Sequence, residues 1–263
     1  MARTRREAVA WPTVLRELRV VEVTDVSATT RRVRLTGEQL REFPVSGGTA
    51  AAFRSTGFDD HVKLLVPMEG QERPPLPVQG PDRLEWGGAG GRPVAKDYTP
   101  RRFVPTDDGG LLDLDFVLHE GGFAAGWARR TKPGDPAWIV GPTRSLRLPE
   151  GVDRIVMAAD ETALPAVGRF LDEWTASVAV DIIVDVPSPA SIQQLPERAG
   201  VSLTWVHGAE AWFDAVASLP WPAVPTFCWV AGEAGAVRRV RRFLSDERAV
   251  PRDCLDATGY WRR

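Results

Sequence analysis

Arg154-Ile-Val-Met-Ala-Ala-Asp-Glu-Thr-Ala-Leu-Pro-Ala166 decides the architecture of the second half of the chain. Arg154 to Ala159 is an apolar run too short for a helix, while Leu164 to Trp174 has helical spacing. The alternation recurs further on. Val180-Asp-Ile-Ile-Val184, Val201-Ser-Leu-Thr-Trp-Val206 and Phe227-Cys-Trp-Val-Ala231 read as buried strands. Ala234 to Leu244 reads as a helix with Val237, Val240 and Leu244 on one face. Strands alternating with helices predict βαβ units around a parallel sheet. The boundary with the preceding region falls between Gly141-Pro142 and Gly151, which gives domains of residues 1–148 and 149–263.

The first half reads differently. Leu18 to Val26 and Thr30 to Leu35 are rich in Val, Thr and Leu with a short break between them, and His61 to Val66 is a third strand stopped by Pro67. Leu112-Asp-Leu-Asp-Phe116 alternates apolar and acidic residues, the pattern of a strand with one wet face. From Glu69 to Pro93 the chain is dense in Pro and Gly, which predicts a long loop with a functional role or high mobility. Across all 263 residues there are 24 Gly and 22 Pro, above an average share of about 12%. That excess points to many turns and so to a β-rich N-terminal domain.

Composition excludes several classes. Lys and Arg number 33 against 35 Asp and Glu, so there is no global pull toward nucleic acid. Two cysteines, Cys228 and Cys254, build neither an iron–sulfur cluster nor a disulfide framework. His61, His119 and His207 lie on separate segments without a cysteine partner, so no zinc site is expected. No apolar run is long enough to span a membrane. The basic start, Met1 to Glu7, is not followed by the apolar stretch of a secretory leader, so a cytoplasmic location is expected. There is neither a G-x-S-x-G elbow nor a Walker loop. The run Arg238-Arg239 and Arg241-Arg242 reads as a solvated helix face.

Three segments carry candidate chemistry. Lys96-Asp-Tyr-Thr99 lies on an extended stretch where Lys96 and Tyr98 share a side and Thr99 faces away. A cation, a ring and a hydroxyl so placed suit a flavin dinucleotide, and they equally suit an ordinary strand with a surface lysine. His119-Glu-Gly-Gly-Phe-Ala-Ala125 places two glycines before a helix start, where backbone N–H groups approach a phosphate, or where glycines serve turn geometry alone. Asp160-Glu-Thr-Ala163 and Gly232-Glu-Ala234 occupy two strand-to-helix corners. Neither has the G-x-G-x-x-G fingerprint, but ligands of such sheets bind at the carboxyl ends of the strands.

The order of these pieces resembles the siderophore-interacting protein family, flavin-dependent ferric-siderophore reductases of the ferredoxin-reductase-like superfamily. The matching stretches are Asp60-His-Val-Lys-Leu-Leu65, Lys96 to Thr99, the His119 loop ending in Trp127-Ala128, Asp160 to Ala166, and Gly232-Glu-Ala with Gly259-Tyr-Trp261. They span the chain. The resemblance implies a two-domain α+β protein: a six-stranded antiparallel FAD-binding β-barrel, then an α/β nicotinamide-nucleotide domain with a parallel sheet. It further implies that Lys96, Asp97, Tyr98 and Thr99 meet the flavin, and that Val117, His119, Gly121, Gly122, Phe123, Ala124 and Ala125 hold its phosphates. Asp160, Glu161, Thr162, Ala163, Gly232, Glu233 and Ala234 would line the nicotinamide side, and Lys63 would belong to a basic pocket for an anionic ferric chelate. The sequence departs from the family at four places. Lys96 stands for a usual Arg, Gly122-Phe123 for a Gly-Pro in a loop one residue shorter, Ala159 for a Gly, and Gly208 for an Arg.

The implied reaction is reduction of a ferric siderophore by NADH or NADPH through FAD, with no protein nucleophile or metal. A nicotinamide gives two electrons together and Fe(III) accepts one, and a flavin links the two. General flavin or quinone reduction, and binding of flavin or ferric chelate without turnover, remain open. The expected partner is a small ferric chelate, with neither nucleic acid nor membrane. Oligomeric state is not encoded in any motif, and a monomer is the simplest expectation.

Overall fold

The structure, a computed structural model, describes residues 6–68, 70–80, 83–85 and 93–262. The chain divides into two compact units, Ala8–Arg147 and Leu148–Arg263, the second joined by Arg6 and Glu7. Arg6 is tied into the second unit by its guanidinium, which donates to Asp256 at 2.9 Å.

The Ala8–Arg147 unit is built on one curled antiparallel sheet. Its strands are β1 (Leu15–Asp25), β2 (Thr30–Thr36), β3 (Val62–Val66), β4 (Val94–Tyr98), β5 (Pro100–Val104), β6 (Leu111–Val117) and β7 (Pro136–Val140). Among the described residues seven strands form it, in the order β5-β6-β2-β1-β7-β3-β4. The expected barrel had six. The difference lies at Thr99: β4 and β5 are consecutive in the chain, yet they are the two edges of the sheet. Pro100 has no N–H to continue a ladder, so the strand breaks there and its two halves pair on opposite sides, with β3 and with β6. The sheet thereby curls back on itself through one continuous stretch of chain. Val33, Leu35, Val62, Leu64, Leu112, Leu114 and Phe116 are buried inside it.

Two expectations for this unit are corrected. The acidic face of β6 is not wet. Asp113 and Asp115 are 2% and 4% exposed. Directly across the ladder Arg34 and Arg32 grip them with paired bonds of 2.7–3.0 Å. Burial of these acids is tolerated because each guanidinium matches a carboxylate with two parallel donors. The Pro- and Gly-rich segment is also not uniformly structureless. Val78–Gln79 pairs with Leu84–Glu85, and Leu76 and Leu84 pack on Leu65, Trp138 and Val140. Glu69, Pro81-Asp82 and residues 86–92 of that segment lie outside the described residues.

The second unit has the predicted architecture. Strands β8 (Arg154–Asp160), β9 (Ala179–Asp185), β10 (Val201–Val206), β11 (Thr226–Glu233) and β12 (Leu255–Trp261) form a parallel sheet in the order β10-β9-β8-β11-β12. After α1 (Phe123–Arg130) in the first unit, the helices are α2 (Leu164–Glu173), α3 (Ala209–Ala217) and α4 (Ala234–Asp246). Helices α3 and α4 bury Trp212, Val216, Val237, Val240 and Leu244 against Val156, Ala158, Ile183, Cys228 and Val230 of the sheet. The strand order reverses between β8 and β11. In open α/β sheets that reversal opens the crevice in which ligands bind.

Candidate functional site

In the first unit Tyr98 ends β4 opposite Val62, and Lys96 lies opposite Leu64. The Tyr98 ring packs on Phe116 with centroids 4.3 Å apart, and Phe116 packs on Trp127 of α1 at 5.4 Å. This aromatic ladder couples the strand edge to the helix. Burial pushes the Tyr98 phenol well above its ordinary range, so it stays neutral. Thr99 is buried beside it, whereas Lys96 and Asp97 are exposed. Val117 closes β6, and the His119 loop leads from it into α1.

That loop is shaped by its two glycines. Gly121 has φ +71°, a conformation that glycine adopts without strain. A Cβ on Gly122 would stand 2.3 Å from His119 Cε1, because the imidazole lies directly over that residue. Gly122 is the N-cap of α1 and no side chain caps the helix. Helical bonding begins with the Gly126 N–H donating to the Gly122 carbonyl. The amides of Phe123, Ala124 and Ala125 are therefore not used by the helix, and they stand at its positive end. Arg129 donates to the His119 carbonyl at 3.1 Å and steadies the loop. An aromatic wall beside a glycine turn and an uncapped helix start fits a flavin ring and its pyrophosphate.

Lys63 is not isolated. Its ammonium donates to Asp97, its cross-strand neighbour, at 2.7 Å. It also lines a cavity of about 370 Å³ with Thr13, His61, Arg83, Leu84, Val140 and Thr143. Sequence reasoning missed Arg83 and weighed His61 only as a metal ligand. The signal for Arg83 was weak, since it is one cation in a segment dominated by Pro and Gly.

In the second unit Asp160 is the hub of the β8–β11 crevice. Asp160 is 8% exposed. Oδ1 accepts from the Thr162 N–H and hydroxyl at 2.9 and 2.6 Å. Oδ2 accepts from the Glu233 N–H and the Trp261 indole, both at 2.7 Å. Burial raises its pKa and these donors oppose the rise. Gly232, with φ +154°, is required here, since its Cβ would lie 2.6 Å from the Asp160 carboxyl. Glu233 caps α4, accepting from the Gly235 and Ala236 amides at 2.7 and 2.9 Å. The structure thus brings Asp160, Thr162, Gly232 and Glu233 together. Ala163 is fully buried packing, and Glu161 and Ala234 are nearly so at 9%.

Among the described residues there is no metal-binding cluster and no helix long and apolar enough to cross a membrane.

Comparison with known proteins finds matches for both units. Residues 19–146 fit the siderophore-interacting FAD-binding domain, and residues 152–263 fit the siderophore-interacting protein domain. The chain is 32% identical over 250 residues to the NADPH-dependent ferric-chelate reductase of Escherichia coli K12, covering 94% of this chain and 92% of that protein. It is 28% identical over 246 residues to the ferric vibriobactin reductase of Vibrio cholerae, covering 90% and 86%. Among solved structures, a siderophore utilization protein from T. fusca aligns with a TM-score of 0.85 at 32% identity, over 98% of this chain and 96% of that one. The ferredoxin reductase of carbazole 1,9a-dioxygenase shares the fold, with a TM-score of 0.66 at 15% identity over 95% and 70% of the two chains. With both units matched, the chain belongs to the siderophore-interacting protein family.

Proposed function

We propose that the protein is an NAD(P)H-dependent flavoprotein that reduces ferric siderophores and so releases iron as Fe(II). The observation that carries the reading is the cradle of the first unit: the Tyr98–Phe116–Trp127 ladder beside an uncapped α1 start. FAD supplies, when bound, the exchange between a two-electron donor and a one-electron acceptor. Tyr98, kept neutral and fixed by Phe116, presents a flat apolar surface to the ring. Gly121, Gly122 and the Phe123–Ala125 amides present donors to the phosphates. Lys63 and Arg83 give the cavity that they line two cations suited to an anionic chelate.

The crevice of the second unit is proposed as the nicotinamide site. Its two corners differ from α1, because Asp160 and Glu233 already occupy the amides that a pyrophosphate would use. This fits a donor that binds and leaves at each turnover, against an FAD that stays. The reading assigns the first domain to flavin and the second to nucleotide, and has the enzyme act in the cytoplasm as a single chain. The test is the visible spectrum of the purified protein after incubation with FAD, followed by NAD(P)H oxidation with and without a ferric chelate. Chelate-dependent oxidation by a yellow protein is expected. Oxidation that needs only free flavin or quinone would replace this reading with a general flavin reductase, and a colourless protein that takes up no FAD would end both.

A further inference from the structure

A second cavity in the Ala8–Arg147 unit, of about 210 Å³, is lined by Trp11, Pro12, Arg16, Ala51, Arg54 and Pro142 among others. None of these residues belongs to the flavin cradle or to the Lys63 pocket.

Its floor is a buried cation. Arg16 is 2% exposed. Its guanidinium donates only to backbone carbonyls: Nε to Gln39 at 2.9 Å, Nη2 to Ala51 at 2.7 Å, and Nη1 to Val14 and Gly141 at 3.4 and 3.3 Å. Among the described residues no carboxylate pairs with it. A guanidinium has five N–H donors, so these bonds leave one on Nη2 without a partner. Burial without a counter-charge lowers the Arg16 pKa to about 10. An anion entering the cavity would supply the missing charge, and charge-assisted bonds to buried guanidinium groups are strong.

The wall is aromatic and fixed. The Trp11 indole N–H donates to the Ser145 hydroxyl at 2.8 Å, and Ser145 in turn donates to the buried Asp60 at 2.6 Å. The Trp11 amide donates to the Thr143 carbonyl at 2.9 Å. At the rim, the exposed Arg54 holds its guanidinium 5.7 Å from the centre of the Trp11 ring. Two guanidinium groups around a rigid indole plane match a ligand with a flat apolar body and a carboxylate at one end. Inorganic phosphate would leave the apolar wall unused. The volume lies below the roughly 300–1,000 Å³ of drug-sized sites, which limits the occupant to about one ring.

We propose that this cavity binds a small planar carboxylate of benzoate size, at a site separate from those for flavin and ferric chelate. The test is calorimetric titration of the FAD-loaded full chain with benzoate, benzamide and inorganic phosphate, with the flavin spectrum recorded throughout. Saturable one-to-one binding of benzoate is expected, with benzamide and phosphate each at least about tenfold weaker and the flavin spectrum unchanged. Arg54 is exposed, so Arg54→Gln leaves the fold intact, which its thermal midpoint verifies, and should raise the benzoate Kd about fivefold or more. Trp11→Leu should do the same. The proposal is overturned by no binding up to about 10 mM benzoate, by equal affinity in Arg54→Gln, or by phosphate binding as tightly as benzoate. A shifted flavin spectrum or FAD release would overturn it too, by assigning the ligand to the flavin site.

Discussion

Replacing Lys63 with Ala should separate acceptor binding from flavin reduction. The Lys63 and Asp97 side chains are 53% and 54% exposed, and their ion pair is 2.7 Å long. At that exposure solvent screens the pair, which contributes about 0.2–1 kcal/mol to stability. The thermal midpoint of Lys63→Ala should fall by no more than about 4 °C. An anionic chelate that enters the pocket displaces Asp97 from the ammonium, so the net contact is about 0.5–1.4 kcal/mol, or two- to tenfold in KM for the chelate. Asp97→Asn removes the internal competitor and should lower that KM by a similar factor. Both effects should shrink with added salt, because the Debye length falls to about 8 Å at 0.15 M. The assay has two halves: stopped-flow bleaching of the flavin by NAD(P)H without acceptor, and steady-state turnover over a range of chelate concentrations. Bleaching should be the same in all three proteins. Equal losses in both halves for Lys63→Ala, or an Asp97→Asn variant that matches Lys63→Ala, would refute the assignment of Lys63 to the acceptor.

Arg32→Leu strands the buried Asp115 carboxylate and should destabilise the first unit by about 3 kcal/mol in urea unfolding, with most of it restored in Arg32→Leu/Asp115→Leu. Gly232→Ala drives a methyl into the Asp160 carboxyl and strains a positive-φ position, an expected loss of about 1–3 kcal/mol read by calorimetry. Tyr98→Phe should keep FAD, because the phenol is neutral and the ring makes the contact. Tyr98→Ala should weaken FAD about tenfold or more by fluorescence titration.

The parallel sheet was legible because its strands are short apolar runs bounded by helices, and period alone separates the two. The missed elements carried weaker signals. Strand β12, Leu255–Trp261, mixes Asp, Thr and Gly with apolar residues. It is held as an edge by β11 and by the Trp261 bond to Asp160, neither of which is local. Helix α3 follows Gly208 with no side-chain cap, so its start carries no capping signal in the sequence. Strands β4 and β5 of the curled sheet were one stretch to the eye, and only the missing Pro100 amide divides them.

The acids show the limit most clearly. A pattern of Asp at every second residue reads as a wet face, and in β6 that inference failed because the arginines that bury Asp113 and Asp115 sit some 80 residues earlier in sequence, at separations of 79 and 83. Asp160 ends β8, and its work was hidden for the same reason: it depends on the Glu233 amide of β11 and the Trp261 indole of β12, 73 and 101 residues away. A carboxylate in a ligand crevice is as able to tie the crevice together as to touch a ligand. The two roles part on substitution. A residue that ties the crevice changes stability when replaced, whereas one that chiefly touches the ligand changes KM with little loss of stability, so Gly232→Ala and Lys63→Ala should fall on opposite sides of that line.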